Sequence, residues 1–253
     1  MDEMNLGRML AEITEEAARL ILPLWRSGLA VESKSDASPV TEADRRAEAL
    51  ILARLGEAFP DVPIISEEDA SEFGTPDAIG PRFFLVDPLD GTKAFVREDP
   101  NFTVNIGLIA DGRPVAGAVT APATGETWFT SDSGSFRRRG GEAEPIRVRR
   151  RPAEPLALVS HTLKAEARDA LQTQYGFAHT QAMDSSIKLC RIAEGAADLY
   201  PRHGTTMEWD IAAGHAVLLA AGGAVTTPDG GPFDYGKAGA GFRNGWFIAR
   251  GAD

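Results

Sequence analysis

Phe83-Phe84-Leu85-Val86-Asp87-Pro88-Leu89-Asp90-Gly91-Thr92 joins four apolar residues to an acidic turn. A short apolar run bounded by turn residues is the pattern of a buried strand, here one whose end opens into carboxylates. Asp87 and Asp90 flank a proline that fixes its own φ and removes one backbone donor, so a tight turn brings both carboxylates toward one point. That geometry suits a hard divalent cation such as magnesium, which takes about six oxygen ligands and keeps several waters. If a helix begins at Gly91-Thr92, its free N–H groups point at whatever the cations hold, and a phosphate binds there. Gly91 permits close approach of an anion, and the Thr92 hydroxyl is placed to orient or deprotonate a water. Taken alone, Asp-Pro-x-Asp-Gly is more often a solvated turn than a metal site.

Two further acidic segments stand at similar places. Ser66-Glu67-Glu68-Asp69 follows the apolar run Val62 to Ile65, and Glu208-Trp209-Asp210 precedes Ile211 to Ala221, which is apolar nearly all round and predicts a fully buried helix. Asp210 at the head of that helix is favoured by the macrodipole. The plain alternatives are an exposed loop for Glu67, Glu68 and Asp69 and a helix N-cap for Asp210. Three acidic segments, each at a strand end or helix start, make a shared cation site the better reading.

Outward from these segments, Leu10, Ile13, Ala17, Ala18, Ile21 and Leu24 recur at helical spacing and predict a first helix over Leu6 to Trp25. After the polar stretch Ser33 to Pro39, Thr41 opens a second helix through Ala47, Leu50, Ile51, Leu55 and Phe59. Phe102 to Ile109, Pro114 to Ala121 and Glu126 to Thr130, separated by Asp111-Gly112 and Thr124-Gly125, predict an antiparallel meander. Beyond a basic stretch the chain alternates: strand Leu156 to Ser160, helices Lys164 to Tyr175 and Ser186 to Glu194, and strands Asp198 to Tyr200, Ala224 to Thr226 and Trp246 to Ala249. The expectation is an α/β protein in two layered halves. An N-terminal α+β half with an antiparallel sheet (1–151) carries most of the acidic residues, and a C-terminal α/β half (152–253) carries Asp210.

The 253 residues, 43% hydrophobic, suffice for a substantial core, and no apolar stretch approaches the length of a membrane span. Cys190 is the only cysteine, which excludes an intramolecular disulfide and a cysteine-based metal site and fits a reducing cytoplasm. Peripheral association with the inner membrane is compatible with that location. A net charge of −11 repels nucleic-acid polymers and suits a cation-requiring site. The local exception, Arg137 to Arg139 and Arg147 to Arg151, reads as a solvated hairpin or as an electrostatic lure for an anionic substrate. His203 and His215 are not at metal-ligand spacing, and His215 and Cys190 read as packed core residues.

Read in order, these segments resemble the inositol monophosphatase-like superfamily of magnesium-dependent, lithium-sensitive phosphatases. Its two signatures correspond to Phe84-Leu85-Val86-Asp87-Pro88-Leu89-Asp90-Gly91-Thr92 and to Trp209-Asp210-Ile211-Ala212-Ala213-Gly214 running on to Ala221-Gly222-Gly223. Within it the chain is most similar to the CysQ-type 3'(2'),5'-bisphosphate nucleotidases. That similarity rests on Ser38-Pro39-Val40-Thr41-Glu42-Ala43-Asp44, Ser66-Glu67-Glu68-Asp69, Lys93-Ala94-Phe95, Phe102-Thr103-Val104-Asn105-Ile106, Ser185-Ser186-Ile187-Lys188-Leu189-Cys190 and Leu199-Tyr200-Pro201-Arg202. Ser66 departs from the glycine typical of general inositol monophosphatases, which favours the nucleotidase branch.

The resemblance implies a layered αβαβα fold and removal of the 3'-phosphate from 3'-phosphoadenosine 5'-phosphate, a step supporting sulfate assimilation, with two or three Mg2+ ions. It implies metal ligation by Glu67, Asp87, the carbonyl of Leu89, Asp90 and Asp210, with Glu67 also counted in the catalytic set. It implies activation of the attacking water by Asp44 with Thr92, phosphate contacts at Gly91 and Thr92, and nucleotide contacts at Ser185, Lys188 and Arg202, with His161 stacking on or bonding to the base. The substrate is then a small phosphorylated molecule, and the assembly a monomer or homodimer. Inositol monophosphate or histidinol phosphate are the alternative substrates on the same fold, and a non-catalytic metal- or nucleotide-binding protein is the alternative of another class.

Overall fold

The computed structural model describes residues 3–28, 32–33 and 39–252. The expected polar stretch between the first two helices lies outside them, except that Glu32–Ser33 (β1) pairs antiparallel with Pro39–Val40 (β2); Ser38 also falls outside. The first helix, α1, spans Glu3–Ile21, and α2 spans Glu42–Ala58. Thr41 caps α2: its Oγ1 accepts the Ala43 N–H at 3.1 Å, while Asp44 Oδ2 accepts the Thr41 N–H at 2.8 Å. This reciprocal capping explains why the helix starts where the sequence turns from polar to periodic.

A seven-stranded sheet follows, in the order of the chain: β3 Ile64–Ser66, β4 Arg82–Asp90, β5 Thr103–Ala110, β6 Arg113–Ala121, β7 Glu126–Ser131, β8 Gly134–Arg139 and β9 Glu144–Ile146. β3 runs parallel to β4, and every later neighbour is antiparallel. Two short helices, α3 Glu67–Phe73 and α4 Thr92–Val96, leave the ends of β3 and β4. The remainder comprises β10 Leu156–Val159, α5 Ala165–Tyr175, β11 His179–Ala182, α6 Ile187–Ala193, β12 Leu199–Arg202, α7 Glu208–Ala220, β13 Ala224–Thr226 and β14 Phe247–Arg250. Its five strands form a second sheet in the order β11-β10-β12-β14-β13.

Alternation along the strands builds the layers. On β4, Phe84 and Val86 join Leu10, Ile13, Ile51 and Leu55 of α1 and α2, whereas Phe83 and Leu85 join the cluster of Leu189, Ile192, Val217 and Leu218 from α6 and α7. Tyr200 of β12 meets that second cluster, while its neighbour Leu199 packs with Leu171 of α5. Successive side chains of a strand point to opposite faces, so these memberships stack α1/α2, sheet, α6/α7, sheet and α5 in five layers. No helix among the described residues is long and apolar enough to cross a membrane.

α7 is the central layer and sits unusually close to the sheet. Gly107 and Gly117 are partners across β5 and β6, and a Cβ on Gly117 would stand 2.6 Å from the carbonyl oxygen of Ala213. Backbone cannot yield as a side-chain end can. Gly117→Val is therefore expected to cost about 3 kcal/mol through overpacking. Denaturant unfolding checks this, and an unchanged midpoint would contradict the packing.

One expectation changes in the structure. The turn after Val86 is not a turn: β4 continues through Pro88 to Asp90, with a shift of register against β5 between Asp87 and Asp90. Proline has no N–H to give the ladder, so the strand bulges there instead of ending. The basic stretch enters the expected hairpin through β8 and does not line the cavity. Arg137 lies 3.2 Å from Glu194, Arg138 2.8 Å from Glu15, and Arg149 makes paired bonds to Asp198, all outside the cavity described below.

Candidate active site

The bulge in β4, the head of α3 and the head of α7 converge on the floor of one cavity of about 520 Å³. Because β3 lies parallel to β4 with Ser66 opposite Val86, the next residues along, Glu67 and Asp87, emerge side by side. Asp210 arrives from the first turn of α7, where its Oδ2 accepts the Met207 N–H at 2.8 Å. Glu67, Asp87 and Asp210 each offer a carboxylate oxygen within 4.8 Å of the others. Asp210 is therefore not the N-cap of the plain reading, a place that Met207 takes; it is the third residue of α7, reaching back to the N-cap amide, and a member of the acidic floor.

Asp90 stands beside them. Its Oδ2 accepts the backbone N–H of Ser186 at 2.6 Å. Ser186 is held in turn by Asn105 Oδ1, to which its hydroxyl donates at 2.5 Å, and by Thr103 Oγ1 at 2.9 Å. Burial pushes the Asp90 carboxyl up to about 6, with Glu67 and Asp184 adding repulsion against the opposing pull of Lys188 and the Ser186 amide. Asp210 is raised well above the ordinary carboxylate range by burial and then by Asp90 and Glu67. Hard oxygen donors packed this closely, and destabilised as anions by their own proximity, fit a divalent cation.

Thr92 links this floor to α2. Its hydroxyl donates to Asp44 Oδ1 at 3.3 Å and to the Leu89 carbonyl oxygen at 3.1 Å, so two acceptors share one hydrogen. Gly91 has a left-handed φ of 90°, and a Cβ there would come within 2.9 Å of the Asn101 carbonyl oxygen. Only glycine fits that turn, and Gly91, Thr92, Lys93 and Ala94 at the start of α4 line the cavity.

The cations Lys188 and Arg202 line the same cavity. Lys188 is buried, donates to the carbonyl oxygens of Met183 at 3.1 Å and Ser185 at 2.5 Å, and is pushed down to about 8 by burial, Asp90 opposing. Arg202 donates to the Thr205 carbonyl oxygen at 3.0 Å, while its Nε is buried without a protein partner. Ser185 lines the cavity in a left-handed conformation with φ 58°. His161 lies exposed on the rim, grouped with Asp99 and Asp184. Every residue to which the resemblance gives a role, except Asp44, lines this cavity, and Asp44 reaches it through Thr92; Glu68 and Asp69 of the acidic segments do not line it.

Some neighbours escaped the sequence reading. Arg97 pairs with Asp184 at 2.8 Å across the mouth of the cavity, and nothing in the pattern around either residue signals it. Glu208, beside Trp209-Asp210, turns away instead: it is fully buried and accepts the N–H groups of Gly236 and Lys237 and the Lys237 ammonium. His215 is a core histidine bonded to the Tyr235 hydroxyl at 2.9 Å and pushed down to about 3 by burial. Cys190 is buried, which raises its thiol.

With this geometry in place, comparison with known proteins gives a consistent result. The chain matches the inositol monophosphatase family over residues 5–250. It is 44% identical over 207 residues to the 3'(2'),5'-bisphosphate nucleotidase CysQ of Escherichia coli (strain K12), covering 81% of this chain and 82% of that protein. It is 38% identical over 229 residues to the CysQ of Salmonella typhimurium (strain LT2), covering 89% and 92%. Among solved structures, CysQ from Bacteroides thetaiotaomicron superposes with a TM-score of 0.81 at 30% identity, covering 99% of this chain and 98% of that one.

Proposed function

Because the chain belongs to the inositol monophosphatase family, we propose that it is a magnesium-dependent 3'(2'),5'-bisphosphate nucleotidase that converts 3'-phosphoadenosine 5'-phosphate to AMP and phosphate. The observation that carries this reading is the joint lining of one cavity by the carboxylates of Glu67, Asp87 and Asp210, gathered within 4.8 Å of one another, and by the cations Lys188 and Arg202. A substrate with one phosphate for the carboxylate-held cations and a second for Lys188 and Arg202 uses both sets of groups. The names of the CysQ relatives support the same substrate class.

Glu67, Asp87, the Leu89 carbonyl, Asp90 and Asp210 would hold two or three magnesium ions. Bound there, the ions supply Lewis acidity and charge neutralisation for in-line displacement at phosphorus. The chain supplies the proton path and the alignment. Thr92 Oγ1 accepts a hydrogen bond from the attacking water and passes its own hydrogen toward Asp44 Oδ1, 3.3 Å away. Asp44 is held for this by the Thr41 amide and hydroxyl on its other oxygen, at 2.8 and 2.7 Å. The N–H groups following Gly91 bind the phosphate oxygens, which keeps the reacting phosphorus in line.

Lys188 and Arg202 take the second phosphate at a distance from the chemistry. Two of the three Lys188 donors already bind loop carbonyls, leaving one for substrate. Arg202, with its buried and unpartnered Nε, is the cleaner probe, because Lys188 also braces the Met183–Ser185 loop. Loss of a charge-assisted hydrogen bond costs about 1.5–3 kcal/mol, so Arg202→Ala is expected to raise KM for the bisphosphate about 10- to 100-fold. A nucleoside 3'-monophosphate should feel little of this. Equal KM changes for the two esters would remove Arg202 from the second-phosphate site.

A further inference from the structure

Glu48 is a buried carboxylate in the middle of α2, 7% exposed, one helical turn beyond Asp44 and on the same face. Its Oε1 accepts the backbone N–H groups of Glu68 at 3.1 Å and Asp69 at 3.3 Å. Those are first-turn amides of α3, the helix whose opening residue is Glu67. Helix α3 is short: it has seven residues, none of them buried, and its N-cap Ser66 makes no side-chain capping bond. Ala70 alone packs half-buried against the core. A helix this short is not stable by itself.

We infer that Glu48 is a positioning residue for the cation site, acting through the first-turn amides of α3 to fix Glu67 beside Asp87. The inference rests on the reading of Glu67 as a cation ligand. In this arrangement one face of α2 serves both parts of the chemistry: Asp44 orients Thr92, and Glu48, four residues on, orients Glu67. Partners that orient a metal ligand typically matter about 10- to 100-fold in metal affinity. A buried carboxylate that caps another element's amides also stabilises that helix, so the two roles must be separated by measurement.

The test is calorimetric titration of Mg2+ into purified wild-type protein and the variants Glu48→Met, Glu48→Gln and Glu67→Gln. The methionine keeps volume and removes the acceptor, and the expected result is Mg2+ affinity about 10- to 100-fold weaker. At limiting Mg2+, kcat falls, excess Mg2+ restores it, and substrate KM at saturating Mg2+ is unchanged. Glutamine keeps an acceptor oxygen without the charge and is expected to restore affinity to within about threefold of wild type, well short of the usual loss. If the methionine variant does not fold, Glu48→Asp, which draws the acceptor back from the amides, takes its place with an intermediate loss. A methionine variant that lowers the melting temperature but leaves Mg2+ affinity unchanged, while Glu67→Gln weakens it, overturns the role of Glu48 alone. Glutamine as damaging as methionine makes the effect one of charge and also overturns it. A Glu67→Gln variant with wild-type affinity overturns the cation site itself.

Discussion

Asp90→Asn is expected to lower kcat by about 10³ or more while leaving the protein folded, since a lost cation ligand removes several kcal/mol of transition-state stabilisation. The fold survives because the asparagine oxygen still accepts the Ser186 N–H, which Asp90 Oδ2 now does at 2.6 Å. Stability in chelator should even improve. Burial holds the Asp90 carboxyl up at about 6, above the value of about 3.9 it takes in an unfolded chain. A carboxyl with a raised pKa binds its proton more tightly in the folded state, so its contribution to stability is present below pH 4 and is lost as pH rises through about 6. Asparagine has no such loss. Melting curves in chelator from pH 4 to 7, together with steady-state rates, check both halves; wild-type turnover would refute the ligand role.

Thr92→Val is expected to lower kcat by about 10² to 10⁴, the usual worth of a positioned acid–base group. Mg2+ affinity and substrate KM should hold, because valine keeps the shape and removes only the hydroxyl that bonds Asp44 Oδ1 and the Leu89 carbonyl oxygen. Single-turnover rates with calorimetric Mg2+ titration separate these quantities. A rate within about threefold of wild type would take the proton path away from Thr92, since a positioned group is worth far more.

Much of the architecture was legible because local and tertiary demands agree. Asp111 and Gly112 both take positive φ, 49° and 73°, which is the tight hairpin that Asp-Gly announces between β5 and β6. Phe84 and Val86 on one face and Phe83 and Leu85 on the other mark β4 as buried on both sides. Elements without an apolar pattern escaped. The four residues of β11, His179 to Ala182, are all exposed, and α3 buries no residue, so neither leaves a periodic signal. The bulge at Pro88 read as a turn because the same residues serve either purpose.

The acidic floor was readable from the combination: each acidic segment alone has an ordinary structural use, but three of them stand together at strand ends and a helix start. The division near Arg151 remains an expectation of the sequence, although the larger sheet is drawn from residues 64–146 and the smaller from 156–250. Glu48 and Asn105 were not readable as site residues. A glutamate within a helical pattern looks like a solvent-facing charge, and only the packing of α3 against α2 buries it. Asn105 looks like a strand residue until Ser186, 81 positions later, brings its hydroxyl to it.

The central claim is tested most directly by phosphate release, with Mg2+ and with chelator, from 3'-phosphoadenosine 5'-phosphate, inositol monophosphate and histidinol phosphate at matched concentrations. A strong Mg2+-dependent preference for the bisphosphate nucleotide is the predicted result; equal or faster release from either of the other esters, or release that survives the chelator, would contradict it.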